Sequence, residues 1–146
     1  MVMNITIDYQ KRLKYTKYIH KINMILIIKI DRRLNNMSQL FQSTFQTLTM
    51  DEAKIEIEDN PNIIIVDVRT PEEYKKGHIP GAMNIPVETP QLITEKIPDK
   101  NETIFVYCLS GGRSQRASEL FADMGYGHIT DIGGILFWPG NLEKGE

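Results

Sequence analysis

The single cysteine of the chain, Cys108, opens the run Cys108-Leu109-Ser110-Gly111-Gly112-Arg113. A cysteine thiolate is a strong nucleophile. Ser110, Gly111 and Gly112 are small enough for the backbone to curl tightly and turn its N–H groups inward. A ring of inward N–H groups makes a nest for an anion. Arg113 adds a permanent positive charge on a planar fork of donors. Such a loop suits an oxyanion substrate and a negatively charged sulfur adduct. An inert buried cysteine is the commoner fate of a lone one. A core cysteine needs neither two glycines nor an arginine beside it, so the run predicts a catalytic sulfur nucleophile.

The elements around the run place it well. Thr103 to Tyr107 is a short apolar stretch of strand type, and Cys108 follows it directly. Carboxyl ends of strands are where parallel α/β sheets bind ligands. Ser114 to Met124 has helical spacing, with Ala117, Leu120, Phe121 and Met124 on one face. The positive end of that helix points at the loop. Upstream, Ile63 to Val68 is a continuous β-branched run, expected of a strand covered on both faces. Phe45 to Leu48 and Ile129 to Ile132 read as further short strands, and a last one lies around Met83 to Ile85. Thr49-Met50-Asp51-Glu52 and Thr70-Pro71-Glu72-Glu73 are capping boxes that open two helices. Residues 88 to 96 read as another. Strands separated by helices predict a parallel sheet wrapped on both sides.

Composition limits the function classes. A single chain of 146 residues is long enough for one domain that buries roughly two thirds of its unfolded surface. One cysteine cannot form an internal disulfide, which fits a reducing compartment and predicts a cytoplasmic protein. Thiolate-rich zinc sites are excluded, and His20, His78 and His128 are too scattered to suggest a metal centre. Residues 1–36 carry eight Lys/Arg and two acids, net +6, with neither Gly nor Pro. Residues 37–146 carry nine Lys/Arg and seventeen acids, net −8. The acidic part is a poor candidate for nucleic-acid binding. The apolar run from Ile22 to Ile30 is far shorter than the roughly 20 residues a membrane span needs. Residues 1–36 read as a basic extension, either a short appendage or, the favoured reading, a stretch upstream of the natural start at Met37; the domain is expected over 37–146.

The order Cys-x-x-Gly-x-Arg-Ser after a strand is accompanied by Asp67-Val68-Arg69 and by Glu73-Tyr74-x-x-Gly77-His78-Ile79-x-Gly81-Ala82-x-Asn84-Ile85-Pro86. Gly133-Gly134 followed by Trp138 closes the pattern. Together these motifs resemble a single-domain rhodanese over about residues 45 to 141. The resemblance implies a five-stranded parallel sheet with helices on both faces, in a domain spanning 37–146. It implies a sulfurtransferase in which Cys108 takes a sulfane sulfur from a donor such as thiosulfate. A persulfide then passes that sulfur to cyanide or a thiol, with no metal or organic cofactor. Leu109 to Arg113 become the cradle, and Arg113 orders the loop or meets the anionic donor. In thiosulfate-preferring relatives the position after the cysteine is often basic. Here it is Leu109, which favours a protein persulfide or a small thiol over dianionic thiosulfate.

Two rival functions remain at this level. Cysteine-dependent phosphatases and arsenate reductases use a similar loop, but place five residues between Cys and Arg. Four lie between Cys108 and Arg113, a shorter ring that suits a sulfur on the cysteine. A non-catalytic binding module, or a persulfide relay between proteins, is the second rival. Asp67 and Arg69 could line the site, although a scaffold ion pair is the plainer reading. His78 is expected to fix its turn by bonding backbone, and Tyr74 and Trp138 to be core or rim aromatics. Glu72-Glu73 with Lys75-Lys76 reads as a solvated helix face with weak local pairing at most.

Overall fold

The computed structural model describes residues 44–145 and, upstream of them, residues 19, 22–27, 29, 30 and 33. The chain divides into two units, Met1–Gln42 and Ser43–Glu146. In the first, the described residues are helical and expose Ile22, Met24, Ile25, Leu26, Ile27 and Ile30. No helix among the described residues is long and apolar enough to cross a membrane. The expected start at Met37 lies outside the described residues.

The second unit holds a five-stranded parallel sheet. Its strands are β1 (Gln46–Thr47), β2 (Ile64–Asp67), β3 (Met83–Asn84), β4 (Thr103–Cys108) and β5 (His128–Gly134). They lie in the order β1-β5-β4-β2-β3, so β4 is central. The helices are α1 (Met50–Asp59), α2 (Pro71–Lys76), α3 (Leu92–Lys96) and α4 (Gly112–Asp123), and a 3-10 turn spans Ile135–Phe137.

Side-chain alternation along the two central strands divides the core. Ile64, Val66 and Val68 with Ile104, Val106 and Cys108 pack on one face against Ile93 of α3 and Ala117, Leu120 and Phe121 of α4. Ile65, Phe105 and Tyr107 pack on the other against Met50 and Ala53 of α1, with Tyr74, Ile135 and Trp138. Burial on both faces explains why these strands read as unbroken apolar runs.

Three boundaries differ from expectation for local reasons. The helix expected over 88–96 is confined to Leu92–Lys96, because Pro86 and Pro90 lack N–H donors and Thr89 and Leu92 close single turns onto Pro86 and Thr89. Helix α4 begins at Gly112, two residues early, because Gly111 at φ +112° serves as its cap. Strand β5 runs on through Gly134 by means of a bulge. Val106 pairs with Asp131 and Tyr107 with Gly133, so Ile132 is the extra residue.

Candidate active site

Cys108 ends the central strand and is 1% exposed. Its side chain shares a face with Val106 and α4. The chain turns at once. Gly111 takes a conformation L residues rarely adopt, and its N–H donates to Cys108 Sγ over 3.1 Å. The Gly111 carbonyl accepts the first bond of α4, from the Gln115 N–H at 3.1 Å. The N–H groups of Gly112, Arg113 and Ser114 therefore have no intrahelical acceptor. They form the positive end of a 12-residue helix beside the sulfur. Ser114 Oγ lies 3.0 Å from the Gly111 carbonyl and 3.3 Å from that of Gly133, joining the loop to β5.

Strand β5 closes the other side. Gly134 pairs in register with Cys108. A Cβ on Gly134 would meet Leu109 O at 2.4 Å and Ser110 Cα at 2.6 Å. The Leu136 N–H donates to Leu109 O at 3.3 Å. The loop is thus clamped between the start of α4 and the end of β5.

Arg113 reaches α2. Its Nη1 donates to Glu73 Oε2 at 2.7 Å and its Nη2 to Glu73 Oε1 at 2.8 Å. Glu73 also completes the capping box of α2, accepting from the Thr70 N–H at 3.0 Å. This corrects the reading of Glu73 as part of a solvated face: it is partly buried and committed to a residue 40 positions away. Bidentate pairs of this kind are among the stronger charge-assisted bonds. The bonds from Arg113 hold the Glu73 carboxyl down to about 2, against partial burial that would raise it. The same bonds raise Arg113, with further help from the charges of Glu73, Cys108 and Glu88.

A depressed carboxylate stabilises the fold fully above its unfolded value and loses that contribution as pH falls through its folded value. The Glu73 contribution is therefore complete above 4.5 and fades toward about 2. In Glu73→Gln, urea denaturation at stepped pH should show a shallower loss of stability over that window. Parallel pH slopes in the two proteins would contradict the assignment.

A family model described as Rhodanese-like domain matches residues 49–138, from the start of α1 to Trp138. The chain belongs to the rhodanese-like domain family. It is 45% identical over 71 residues to thiosulfate sulfurtransferase PspE of Escherichia coli, covering 48% of this chain and 68% of that relative. It is 36% identical over 81 residues to a sulfurtransferase of Allochromatium vinosum, covering 55% of this chain and 75% of the relative. Among solved structures, a rhodanese from E. coli with anions aligns at 39% identity and a TM-score of 0.54. That match covers 57% of this chain and 99% of the other.

In this rhodanese-like domain Asp67 and Arg69 are buried and bonded to each other. Arg69 Nη2 donates to Asp67 Oδ2 at 2.6 Å and to the Gly77 carbonyl at 2.7 Å, and Nε adds bonds to both Asp67 oxygens. Asn84 Nδ2 donates to the carbonyls of Asp67 and Arg69, each at 2.9 Å. The Tyr107 hydroxyl accepts from the Ile79 N–H at 3.0 Å; burial, and then the nearby Asp67 charge, push its ionisation up. This network ties the end of β2 to the Gly77–Asn84 segment, the work of a scaffold. Removing one partner of a buried pair leaves the other charge uncompensated, which costs about 3–5 kcal/mol. Asp67→Ala should lose stability of that order in urea denaturation, and a loss within surface-mutation range would show that the pair is dispensable.

His78 is buried and stacks on Tyr74 with ring centroids 3.8 Å apart. Its Nδ1 lies 2.9 Å from the Tyr74 carbonyl, which can only accept, so Nδ1 donates and fixes the turn as expected. Tyr74 and Trp138 pack against the second core cluster. Sequence reasoning missed two contributors: Glu73 as the partner of Arg113, and Gly134 as the close wall of the loop. The glycine pair after the last strand signalled only that a close approach occurs somewhere.

Proposed function

We propose that this protein is a sulfurtransferase that carries a sulfane sulfur as a persulfide on Cys108. One observation carries the residue assignment: Cys108 Sγ sits 3.1 Å from the Gly111 N–H, at the head of α4. The names of the relatives supply the reaction class. In the first half-reaction the Cys108 thiolate attacks the outer sulfur of thiosulfate. A new S–S bond forms, the old one breaks, and sulfite leaves with the electron pair. In the second, cyanide or a thiolate attacks the outer sulfur of the persulfide, and the pair returns to Cys108. Splitting one transfer into two is covalent catalysis of the ping-pong type.

The cradle residues divide the work. The Gly111 N–H meets the charge that moves onto and off the sulfur, and the head of α4, starting at Gly112, adds the favourable field of its positive end. The Arg113 side chain, held by Glu73, orders the loop rather than reaching outward. A cytoplasmic location fits a protein whose one thiol must stay reduced. The test is intact-protein mass after thiosulfate treatment. We expect a gain of one sulfur that cyanide removes. An unchanged mass with thiosulfate and with other sulfane donors would favour a binding module. Hydrolysis of p-nitrophenyl phosphate would instead favour the phosphatase rival.

Leu109 sets the donor preference in this reading. It is exposed at the head of the loop where a basic residue would attract a dianion. A surface charge near a dianion is worth about 1 kcal/mol, or about fivefold in binding. Leu109→Arg should therefore lower the KM for thiosulfate by about that factor, with kcat little changed. A parent enzyme already tight for thiosulfate would contradict the argument.

A further inference from the structure

We infer that Asp131 is a positioning residue for the Cys108 cradle, acting through the bulge of β5 and the Ser114 hydroxyl. The inference rests on the sulfurtransfer reading above and concerns what holds the Gly111 N–H against the sulfur.

A continuous chain of hydrogen bonds joins the carboxylate to the cradle. Asp131 is buried, and its Oδ1 accepts from the Gly133 N–H at 3.0 Å. The Gly133 carbonyl accepts from Ser114 Oγ at 3.3 Å, and the Gly111 carbonyl accepts from the same oxygen at 3.0 Å. One hydroxyl carries one proton and a carbonyl can only accept, so Ser114 shares that proton between the two backbone segments. Gly111 in turn donates its N–H to Cys108 Sγ at 3.1 Å. Ser114 is fully buried, which shields these bonds from bulk water. Packing follows the same path: a Cβ on Gly111 would lie 3.8 Å from Gly133 Cα.

The carboxylate stands where the bulge needs an acceptor. Ile132 is the extra residue and Gly133 beyond it takes φ +82°, so the ladder to β4 is disrupted there. An Asp side chain that accepts from the N–H two residues on closes an Asx turn, which fixes such a kink locally. The turn sets two things at once. It brings Gly133 opposite Tyr107 and Gly134 opposite Cys108, the register that walls the loop. It also aims the Gly133 carbonyl at Ser114. The Asp131 backbone is anchored separately, since its carbonyl accepts from the Leu48 N–H at 3.0 Å. The acceptor is therefore held from the β1 side of the sheet, away from the sulfur. Without it the Gly133 N–H loses that bond, the turn relaxes, and Ser114 and Gly111 shift with it.

The test uses the full chain and two readouts: single-turnover loading of Cys108 by thiosulfate, and amide hydrogen exchange of the Gly111 N–H. In the loading step the Cys108 thiolate bonds to the outer sulfur and sulfite leaves with the electron pair. Misplacing reacting groups by about 1 Å costs about 10²-fold, and the shift here is smaller, so Asp131→Ala should load about tenfold more slowly. Its half-saturating thiosulfate concentration should stay that of the parent. Its Gly111 amide should exchange about tenfold faster. Asp131→Asn keeps an Oδ1 acceptor and should restore both readouts to within about twofold of the parent. Asp131→Glu keeps the charge but displaces the acceptor by a methylene; it should fall with the alanine variant, and it serves where alanine does not fold. Ser114→Ala should match Asp131→Ala, and the double variant should be no slower than either single, because both cut one chain. Ile104→Val, a core truncation near the start of β4, is the destabilised control and should keep the parent's rates. Asp131→Asn as slow as Asp131→Ala would overturn the proposal. So would additive losses in the double variant, or an equal loss in Ile104→Val. If the parent takes up no sulfur from any sulfane donor, the sulfurtransfer reading fails, and Gly111 exchange still judges the chain. Unchanged exchange in Asp131→Ala overturns the proposal whatever the chemistry.

Discussion

Cys108→Ser is expected to lower kcat/KM for sulfur transfer from thiosulfate to cyanide by at least about 10³-fold, because it removes the group that carries the intermediate. The substitution changes one atom at the end of β4. The serine oxygen would lie close to where Sγ now accepts from the Gly111 N–H at 3.1 Å, so the loop keeps an acceptor and the core loses only the small difference between sulfur and oxygen. The far-UV spectrum and urea midpoint should stay close to those of the parent. Treatment with thiosulfate should leave the mass of the variant unchanged, while the parent gains one sulfur. Retained activity in a folded Cys108→Ser protein would remove Cys108 from the reaction. Cys108→Ala serves as a second variant should the hydroxyl perturb the loop.

The parts of this molecule that were legible in the sequence are those encoded locally. Both capping boxes close as read, with Thr49 paired to Glu52 and Thr70 to Glu73. The apolar runs at 63–68 and 103–107 become β2 and β4 because each buries both faces. The cysteine loop could be read because its glycines and its following helix are contiguous with Cys108. What was not legible depends on which strands become neighbours. Glu73 looked like any charged residue on a short helix until the fold brought α2 across from α4. Nothing in the sequence set the exposed Leu136 and Phe137 apart from the buried Ile135 beside them. Of that segment, Ile135 is buried in the second core cluster and Trp138 packs against it. The register of β5 on β4, shifted by the bulge at Ile132, sets Gly134 opposite Cys108, where a Cβ would strike the loop, while a Cβ on Gly133 would meet open space.

That register makes Gly134→Ala a sharper test of the cradle than any change within it. The added methyl would fall 2.4 Å from Leu109 O, 2.6 Å from Ser110 Cα and 2.9 Å from Leu109 C. These are backbone atoms and cannot swing aside, so the Cys108 loop or the end of β5 must move. Overpacking of this kind costs typically about 1–3 kcal/mol. The larger effect falls on chemistry, since misplacing reacting groups by about 1 Å costs about 10²-fold. We expect Gly134→Ala to fold with a modestly lowered urea midpoint and to transfer sulfur about 10²-fold more slowly. Gly133→Ala is the informative comparison. Gly133 has φ +82° and open space around its Cβ position, so alanine there is strained by about 1–2 kcal/mol without touching the loop. The two variants should lose similar stability, yet Gly134→Ala should lose far more activity. Equal activity losses would mean that both act through general destabilisation, and the clamp formed by β5 would then have no part in positioning the sulfur.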